Sequence, residues 1–161
     1  MHRVEQFFGH LTARVDPGEI ELVDRTLPPA GRHLFAAMPV ADRRHALAVA
    51  QRLLAAGHDD PDLVAAALLH DAAKGHRLRL WHRVVGVLLE AAAPRLLSRL
   101  GSVDARSRRY PFHLYLHHAE FSAKAAMAAG CTVRTAALIR GQTGPDEVAL
   151  AAALAAADKA S

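Results

Sequence analysis

Two histidines and two aspartates within apolar helical segments are the residues of this chain best suited to chemistry. His70 and Asp71 directly follow the apolar run 63–69, and His45 and Asp158 lie in or beside similar apolar faces. Burying an imidazole and a carboxylate without partners would cost several kcal/mol. We therefore expect a hydrogen-bonded network or a metal ion to compensate, and the rest of the sequence favours the metal.

Two neutral imidazoles and two carboxylates form a mixed nitrogen and oxygen donor set. Such a set suits one divalent ion, such as Mn, Fe, Co, Ni, Mg or Zn. Because Cys131 is the single cysteine, the sequence excludes a thiolate metal cluster and a disulfide framework. With only four protein ligands, an octahedral ion would keep about two positions for water or a substrate oxygen. An open site of this kind lowers the pKa of bound water and polarises a phosphoryl oxygen.

Each of these residues taken alone also has a structural explanation. A single buried histidine is more often a hydrogen-bonded core residue than a ligand. Asp158 could simply accept hydrogen bonds near the end of the chain. The joint occurrence of all four residues on helices is much more specific than any one of them.

The elements that must position these side chains are predicted to be helices throughout. The composition is rich in Ala and Leu and low in aromatic residues, which suits closely packed helices, and no useful alternating strand pattern occurs. The sequence therefore predicts an all-α fold. Helices are predicted at 3–15, 18–26, 31–37, 42–56, 61–74, 79–92, 95–100, 112–129, 133–140 and 146–159.

Local signals set the expected ends of the two helices that carry the histidines. Asp42 is predicted to cap the helix that contains the first histidine. Asp60 followed by Pro61 is a strong N-terminal signal for the next helix. That helix is predicted to continue through the His-Asp pair to Lys74 and to stop at Gly75.

Length and charge limit the class of protein. A chain of 161 residues predicts one domain, and no segment reaches the roughly 20 apolar residues of a membrane span. The N-terminus lacks an apolar signal core, so we expect a cytoplasmic protein. The net charge of +4 comes largely from arginine, which permits an anionic partner. Nucleic-acid binding is not expected, because the basic residues lack interleaved aromatic residues.

In type and order, His45, His70-Asp71 and Asp158 resemble the H…HD…D signature of the HD-domain superfamily of metal-dependent phosphohydrolases. The flanking segments 44–50, 66–74 and 156–158 are similar to the family's first helix, its "AALLHDxGK" segment and its closing "AAD". The resemblance implies a single compact helical bundle over residues 40–160. It also implies one divalent metal ion held by those four side chains. Residues 1–38 lie outside the resemblance and are predicted to form an N-terminal helical extension of the same domain.

Other positions of the family pattern match less completely. Residues 118–123 resemble the "HxExGA" helix, which supplies a ligand to the second ion in two-metal members. Those members also carry an "IxxHH" stretch, where this chain has 139–143 without either histidine. We therefore expect one metal ion, with His118 either supporting the site or contacting substrate phosphate.

The resemblance implies hydrolysis of a small phosphate ester or a nucleotide. We expect Asp71, Lys74 and His118 to be the catalytic residues. Asp71 would orient the attacking water, Lys74 would pair with that carboxylate or contact phosphate, and His118 would support the site or contact phosphate. The alternative function is a catalytically weak HD-type module that senses a nucleotide or binds a protein.

Two further interpretations compete with these. The segment 78–100 is amphipathic enough to suggest association with a membrane surface, although an apolar stripe is more often core. His113 and His117 lie four residues apart on a predicted helix, a spacing that suits either metal binding or packing beside Phe112 and Tyr115. Packing is the favoured interpretation, because neither histidine matches a ligand position of the HD signature.

Overall fold

The computed structural model describes residues 17–74, 104, 107, 110–142 and 144–161. These residues form seven α-helices and one 3-10 turn, with no strand among them, so the predicted all-α fold is confirmed for this part of the chain. The helices are α1 (Pro17–Thr26), α2 (Pro29–Ala36), α3 (Val40–Ala55), α4 (Pro61–Leu69), α5 (Tyr110–Ala128), α6 (Val133–Arg140) and α7 (Val148–Ala160), and the 3-10 turn is Pro145–Glu147. The helices predicted at 3–15, 79–92 and 95–100, and the amphipathic segment 78–100, lie outside the described residues.

Helix α4 is the centre of the bundle. All seven residues from Leu63 to Leu69 are buried. The helix contacts each of the other six described helices, as expected for a helix that is apolar on all sides. Its C-terminal end therefore delivers the residues that follow it into the interior of the molecule.

The predicted start of α4 is confirmed. The Asp60 carboxylate accepts hydrogen bonds from the amides of Asp62 and Leu63 at 3.0 and 3.1 Å, and Pro61 takes the first helical position. These bonds satisfy two of the amides that a helix leaves unpaired at its N-terminus. The start of the helix is thus fixed at the end opposite to His70.

The predicted end of α4 at Lys74 is wrong, because the helix ends at Leu69. The chain tightens into turns in which the amides of Ala72 and Lys74 donate to carbonyls three residues earlier, each at 3.0 Å. The amide of Ala73 leaves the helical pattern and donates to Ser122 Oγ of α5, also at 3.0 Å. The segment from His70 to Lys74 is consequently a turn held by a neighbouring helix.

Helix α3 begins earlier than predicted. Its N-cap is Pro39, whose carbonyl accepts the first helical hydrogen bond from the amide of Arg43 at 3.0 Å. The predicted cap, Asp42, is instead a buried residue inside the first turn, 2% exposed. The prediction that Asp42 caps this helix was therefore wrong, whereas Gly57 follows its end in a left-handed conformation with φ of +83°.

The remaining described helices follow the predictions closely. Helix α6 has the predicted bounds, and α5 begins two residues before its predicted start. The last predicted helix is divided into the 3-10 turn and α7, because Pro145 begins a tighter turn. Within the described part of the chain, no helix combines the length and the apolar character needed to cross a membrane.

A charged cluster of Asp60, Asp62, Arg134 and Glu147, named here the Arg134 cluster, joins the starts of α4 and α6 to the turn before α7. Arg134 Nη1 lies 2.8 Å from both Asp60 oxygens and 3.2 Å from Asp62 Oδ2, and its Nε donates to Glu147. Thr135 Oγ1 donates to Asp62 Oδ1 at 2.7 Å. The cluster therefore holds three elements together at the beginning of the helix that carries His70 at its other end.

Candidate metal centre

Three of the four predicted ligands converge, although they come from three separated helices. His45 Nε2 lies 2.7 Å from Asp158 Oδ1, a contact between residues 113 positions apart. His70 Nε2 lies 3.3 Å from the same oxygen. The ligand atoms of these three residues all lie within 4.8 Å of one another. The described residues thus bring two imidazoles and a carboxylate to one point.

The packing of α3, α4 and α7 explains this convergence. Each of the three helices contacts the other two. His45 lies in the first half of α3, His70 directly follows α4, and Asp158 lies in the last turn of α7. The two imidazole rings meet edge to face, with centroids 5.4 Å apart. The site is therefore a product of helix packing and not of a local loop.

A backbone hydrogen bond fixes the orientation of the His70 ring. Its Nδ1 lies 2.9 Å from the carbonyl oxygen of Ala67. A carbonyl can only accept, so Nδ1 carries the proton, and in the neutral ring Nε2 presents a lone pair to Asp158. Histidines that bind metal ions through Nε2 usually have this arrangement.

The electrostatics of the site are dominated by contacts between its imidazoles and carboxylates. Burial lowers the pKa of His70, but the carboxylates of Asp158 and Asp71 outweigh it, and the net direction is upward. The pKa of Asp158 lies well below its usual range, because its carboxylate pairs with His45 and His70. The site therefore favours a negative charge on Asp158, the form in which a carboxylate binds a cation.

Asp71, the fourth predicted ligand, is adjacent to this group but not part of it. Its Oδ1 lies 3.6 Å from His70 Nε2, and the residue is 2% exposed. Lys74 Nζ lies 2.6 Å from Oδ1 and 2.7 Å from Oδ2, and hydrogen-bond geometry holds only for Oδ2. Burial raises the pKa of Asp71, but the electrostatic effects of the neighbouring His70 and Lys74 outweigh burial, so the net shift is downward.

The residues present fit a divalent cation. Among the described residues, His70 Nε2 and Asp71 Oδ1 are buried atoms without a hydrogen bond of good geometry, as is Arg43 Nε; Lys74 Nζ, 2.6 Å from Asp71 Oδ1, pairs with that oxygen by charge. Buried polar atoms are normally hydrogen-bonded, so two such atoms side by side call for an explanation. Both atoms belong to the predicted ligand set, and together with His45 and Asp158 they give the nitrogen and oxygen donors that Mn, Fe, Co, Ni or Zn accept.

His118, a predicted catalytic residue, lies on α5 beside Asp71. Its Nε2 is 4.0 Å from Asp71 Oδ1, and its Nδ1 lies 2.7 Å from the carbonyl oxygen of Tyr115. Burial and the positive charge of Lys74 lower its pKa. The ring is held as His70 is, with Nδ1 on a backbone carbonyl and Nε2 directed to the site.

Two further residues, Glu120 of the "HxExGA"-like segment and Gln142 of the segment that replaces "IxxHH", do not join the ligand group within the described residues. Glu120 pairs with Arg140 at 2.6 Å and with Lys124 at 3.3 Å. The hydrogen bond from Arg140 lowers the pKa of Glu120. Gln142 is exposed, and its backbone amide donates to Ala137.

Ser122 is a supporting residue that the sequence reasoning missed. It is completely buried, and its hydroxyl accepts the hydrogen bond from the Ala73 amide within the turn that carries Asp71 and Lys74. The available signal was a hydroxyl on an otherwise small and apolar face of α5. Such a residue in a buried position must have a hydrogen-bond partner.

His113 and His117 share a face of α5, with ring centroids 4.5 Å apart. His113 also packs against Tyr110 at 6.1 Å and edge to face against Phe121 at 5.8 Å. Burial and the neighbouring His117 lower the pKa of His113. These contacts fit the packing favoured from the sequence, but the aromatic partners seen are Tyr110 and Phe121, where the sequence pointed to Phe112 and Tyr115.

Neither family models nor curated proteins nor solved structures gave a match to this chain. The functional assignment accordingly depends on the chemistry of the site itself: three converged ligand atoms, a neighbouring buried carboxylate, and a lysine and a histidine beside it.

Proposed function

We propose that this protein is a metal-dependent phosphohydrolase of the HD-domain type that acts on a small phosphate ester or a nucleotide. The observation that carries the proposal is the convergence of His45, His70 and Asp158 within 4.8 Å. These residues lie far apart in sequence, and they occur in the order of the H…HD…D signature on an all-helical scaffold. Joint convergence of this kind is much less expected for unrelated core residues than a single buried histidine.

In this proposal, four side chains hold one divalent ion. His45 and His70 supply imidazole nitrogens, and Asp158 and Asp71 supply carboxylate oxygens. When bound, an ion in an open site of this type lowers the pKa of water and polarises a phosphoryl oxygen. The buried position of Asp71 and the Nδ1 anchor of His70 keep both ligands oriented.

Lys74 acts on the phosphate group of the substrate, and His118 acts on the attacking water. The Lys74 ammonium balances the charge that develops on the phosphoryl oxygens, a contribution that preorganised cations make in a partly buried site. Because the Nδ1 proton of His118 is donated to Tyr115, its Nε2 is the nitrogen that can accept a proton. His118 Nε2 takes a proton from water as the water oxygen bonds to phosphorus. The ester P–O bond breaks, and its electron pair leaves with the alcohol oxygen, which is protonated by solvent.

Metal removal and restoration test this function. Turnover of p-nitrophenyl phosphate and of a nucleotide panel should be lost with EDTA and restored by Mn²⁺ or Co²⁺. His70→Ala should reduce the restored rate to background, whereas His33→Ala, at an exposed position on α2, should not change it. Equal background rates in the wild type and His70→Ala under all metal conditions would contradict the proposal.

A thermal-shift measurement on the same nucleotide panel separates hydrolysis from the alternative function. A hydrolase should release product from the nucleotide that stabilises it, provided that Mn²⁺ is present. Stabilisation without any product would indicate the nucleotide-sensing module instead.

A further inference from the structure

We propose that Lys74 couples the binding of an anionic ligand to the binding of the divalent ion, because the Lys74 ammonium and the ion both use the carboxylate of Asp71. The inference rests on the proposed function and concerns the regulation of that same site. It assigns Lys74 a second role, in setting the affinity for the ion, besides its contact with phosphate.

The geometry of the Lys74–Asp71 pair carries this inference. Lys74 Nζ lies within 2.7 Å of both carboxylate oxygens. The oxygen at 2.6 Å from Nζ, Asp71 Oδ1, is also the one that lies 3.6 Å from His70 Nε2. The lysine ammonium therefore contacts the oxygen that faces the proposed metal ligands, and a cation that binds Asp71 through Oδ1 shares this oxygen with the ammonium.

Sharing a carboxylate between two cations weakens the binding of both. Asp71 is 2% exposed, so water screens the repulsion between an ammonium and a divalent ion poorly at this position. The lysine also neutralises the charge that makes the carboxylate a strong ligand. We therefore expect Lys74 to lower the affinity for the ion for as long as it stays on Asp71.

An anion can remove this restraint. The Lys74 side chain is 19% exposed, and a lysine carries three donors on a flexible four-carbon stem. A phosphate group that draws the ammonium away from Asp71 would free the carboxylate for the ion. Binding of the anion and of the ion would then strengthen each other equally, because such coupling is reciprocal.

Among the described residues, the other charged groups near Asp71 do not explain the same effect. His118 Nε2 lies farther from Asp71 Oδ1, at 4.0 Å, and burial and Lys74 lower the pKa of this imidazole. Arg140, on the neighbouring helix α6, donates to Glu120 at 2.6 Å. Within the described part of the chain, Lys74 is thus the cation whose movement would leave the Asp71 carboxylate without a neutralising partner.

Calorimetric titration with Mn²⁺ tests the coupling directly, without a turnover assay. In the absence of phosphate, Lys74→Met should bind Mn²⁺ about tenfold more tightly than the wild type. Lys74→Arg, which keeps the charge, should bind like the wild type. Lys124→Met removes an equal charge from an exposed site on α5 and should leave the affinity unchanged.

Inorganic phosphate provides the second arm of the experiment. It should tighten Mn²⁺ binding several-fold in the wild type and have little effect in Lys74→Met. The two proteins are titrated in identical solutions, so complexes of Mn²⁺ with free phosphate affect both equally. In Asp71→Asn, which lacks the shared carboxylate, phosphate should no longer tighten Mn²⁺ binding.

The outcomes separate this inference from the proposed function. Equal Mn²⁺ affinities of the wild type and Lys74→Met without phosphate would overturn the coupling, even if the enzyme hydrolyses phosphate esters. The predicted pattern of affinities without any hydrolysis would support the coupling and contradict the hydrolase. An equal effect of phosphate in the wild type and Asp71→Asn would also overturn the coupling.

Discussion

At the scale of single residues, the site is defined by which atom of each side chain is already engaged in a hydrogen bond. His70 and His118 each direct Nδ1 to a backbone carbonyl three residues earlier, at 2.9 and 2.7 Å. Both rings therefore present Nε2 to the same region around Asp71. The sequence identifies the residue types, but these backbone anchors depend on the conformation of the turn and the helix. Their roles could not be predicted from spacing alone.

The hydrogen bond of Ser122 is the residue-scale feature that we expect to be most sensitive to mutation. Ser122→Ala removes the acceptor of the Ala73 amide and leaves that donor unpaired in a partly buried position. The free energy of unfolding in urea should fall by about 1 kcal/mol. Ser161→Ala, the same chemical change at the exposed chain end, should alter it by less than about 0.5 kcal/mol. Equal stability of the two variants would show that the Ser122 bond does not hold the turn.

At the scale of elements, local sequence signals predicted several helix boundaries correctly where those boundaries depend on residues close to them in the sequence. The Asp60–Pro61 start of α4 and the bounds of α6, 133–140, are as predicted. The prediction for the end of α4 was wrong because this end depends on a contact between residues 49 positions apart, Ala73 and Ser122. The Asp42 prediction failed because a plausible capping residue lay just inside the true start of α3. The long-range contact at the end of α4 lies outside any local sequence window, whereas the start of α3 at Pro39 is local.

The Arg134 cluster gives stability that depends on pH through Asp62. Burial raises the pKa of Asp62, but hydrogen bonds from Thr132, Thr135 and Arg134 lower it by more, so the net shift of the pKa is downward. The unfolded state then binds more protons than the folded state near the ordinary pKa of 3.8. The contribution of this carboxylate is fully present above that value and is lost as pH falls through the folded pKa.

Asp62→Asn should therefore destabilise the protein at pH 7 and flatten the loss of stability on acidification. Urea unfolding of both proteins between about pH 7 and pH 3 measures the difference, which should shrink as the pH falls. Asp59→Asn, at an exposed neighbouring position, serves as the control for loss of one negative charge. A difference between the wild type and Asp62→Asn that stays constant over this range would contradict the role of the Asp62 charge.

At the scale of the whole molecule, α4 organises both the core and the site. Helix α4 contacts every other described helix, its run 63–69 is buried, and His70, which follows it, is one of the predicted ligands. The apolar run and the His-Asp pair after it were visible in the sequence, and the family resemblance implied four converging side chains. Three of them converge, and Asp71 lies beside the group. The distances between them required the packing of α3, α4 and α7. An ion bound there would join three helices that the core already holds together.

Mn²⁺ should accordingly stabilise the whole fold. A ligand at a hundred times its dissociation constant adds about 2.7 kcal/mol when it binds only the folded state. For a chain of this length that corresponds to a rise in Tm of about 5–10 °C. Asp158→Asn should raise the dissociation constant at least about tenfold, and at the same Mn²⁺ concentration the rise in Tm should fall to half or less.

The comparison of Tm with and without Mn²⁺ within each protein removes the direct effect of Asp158→Asn on stability. This matters because the substitution also weakens the contacts of that carboxylate with His45 and His70, at 2.7 and 3.3 Å. Asp59→Asn is the matched control, and it should keep the full rise. A rise in Tm that Asp158→Asn leaves undiminished would mean that Mn²⁺ binds elsewhere, and the three converged side chains would then be a hydrogen-bonded network without an ion.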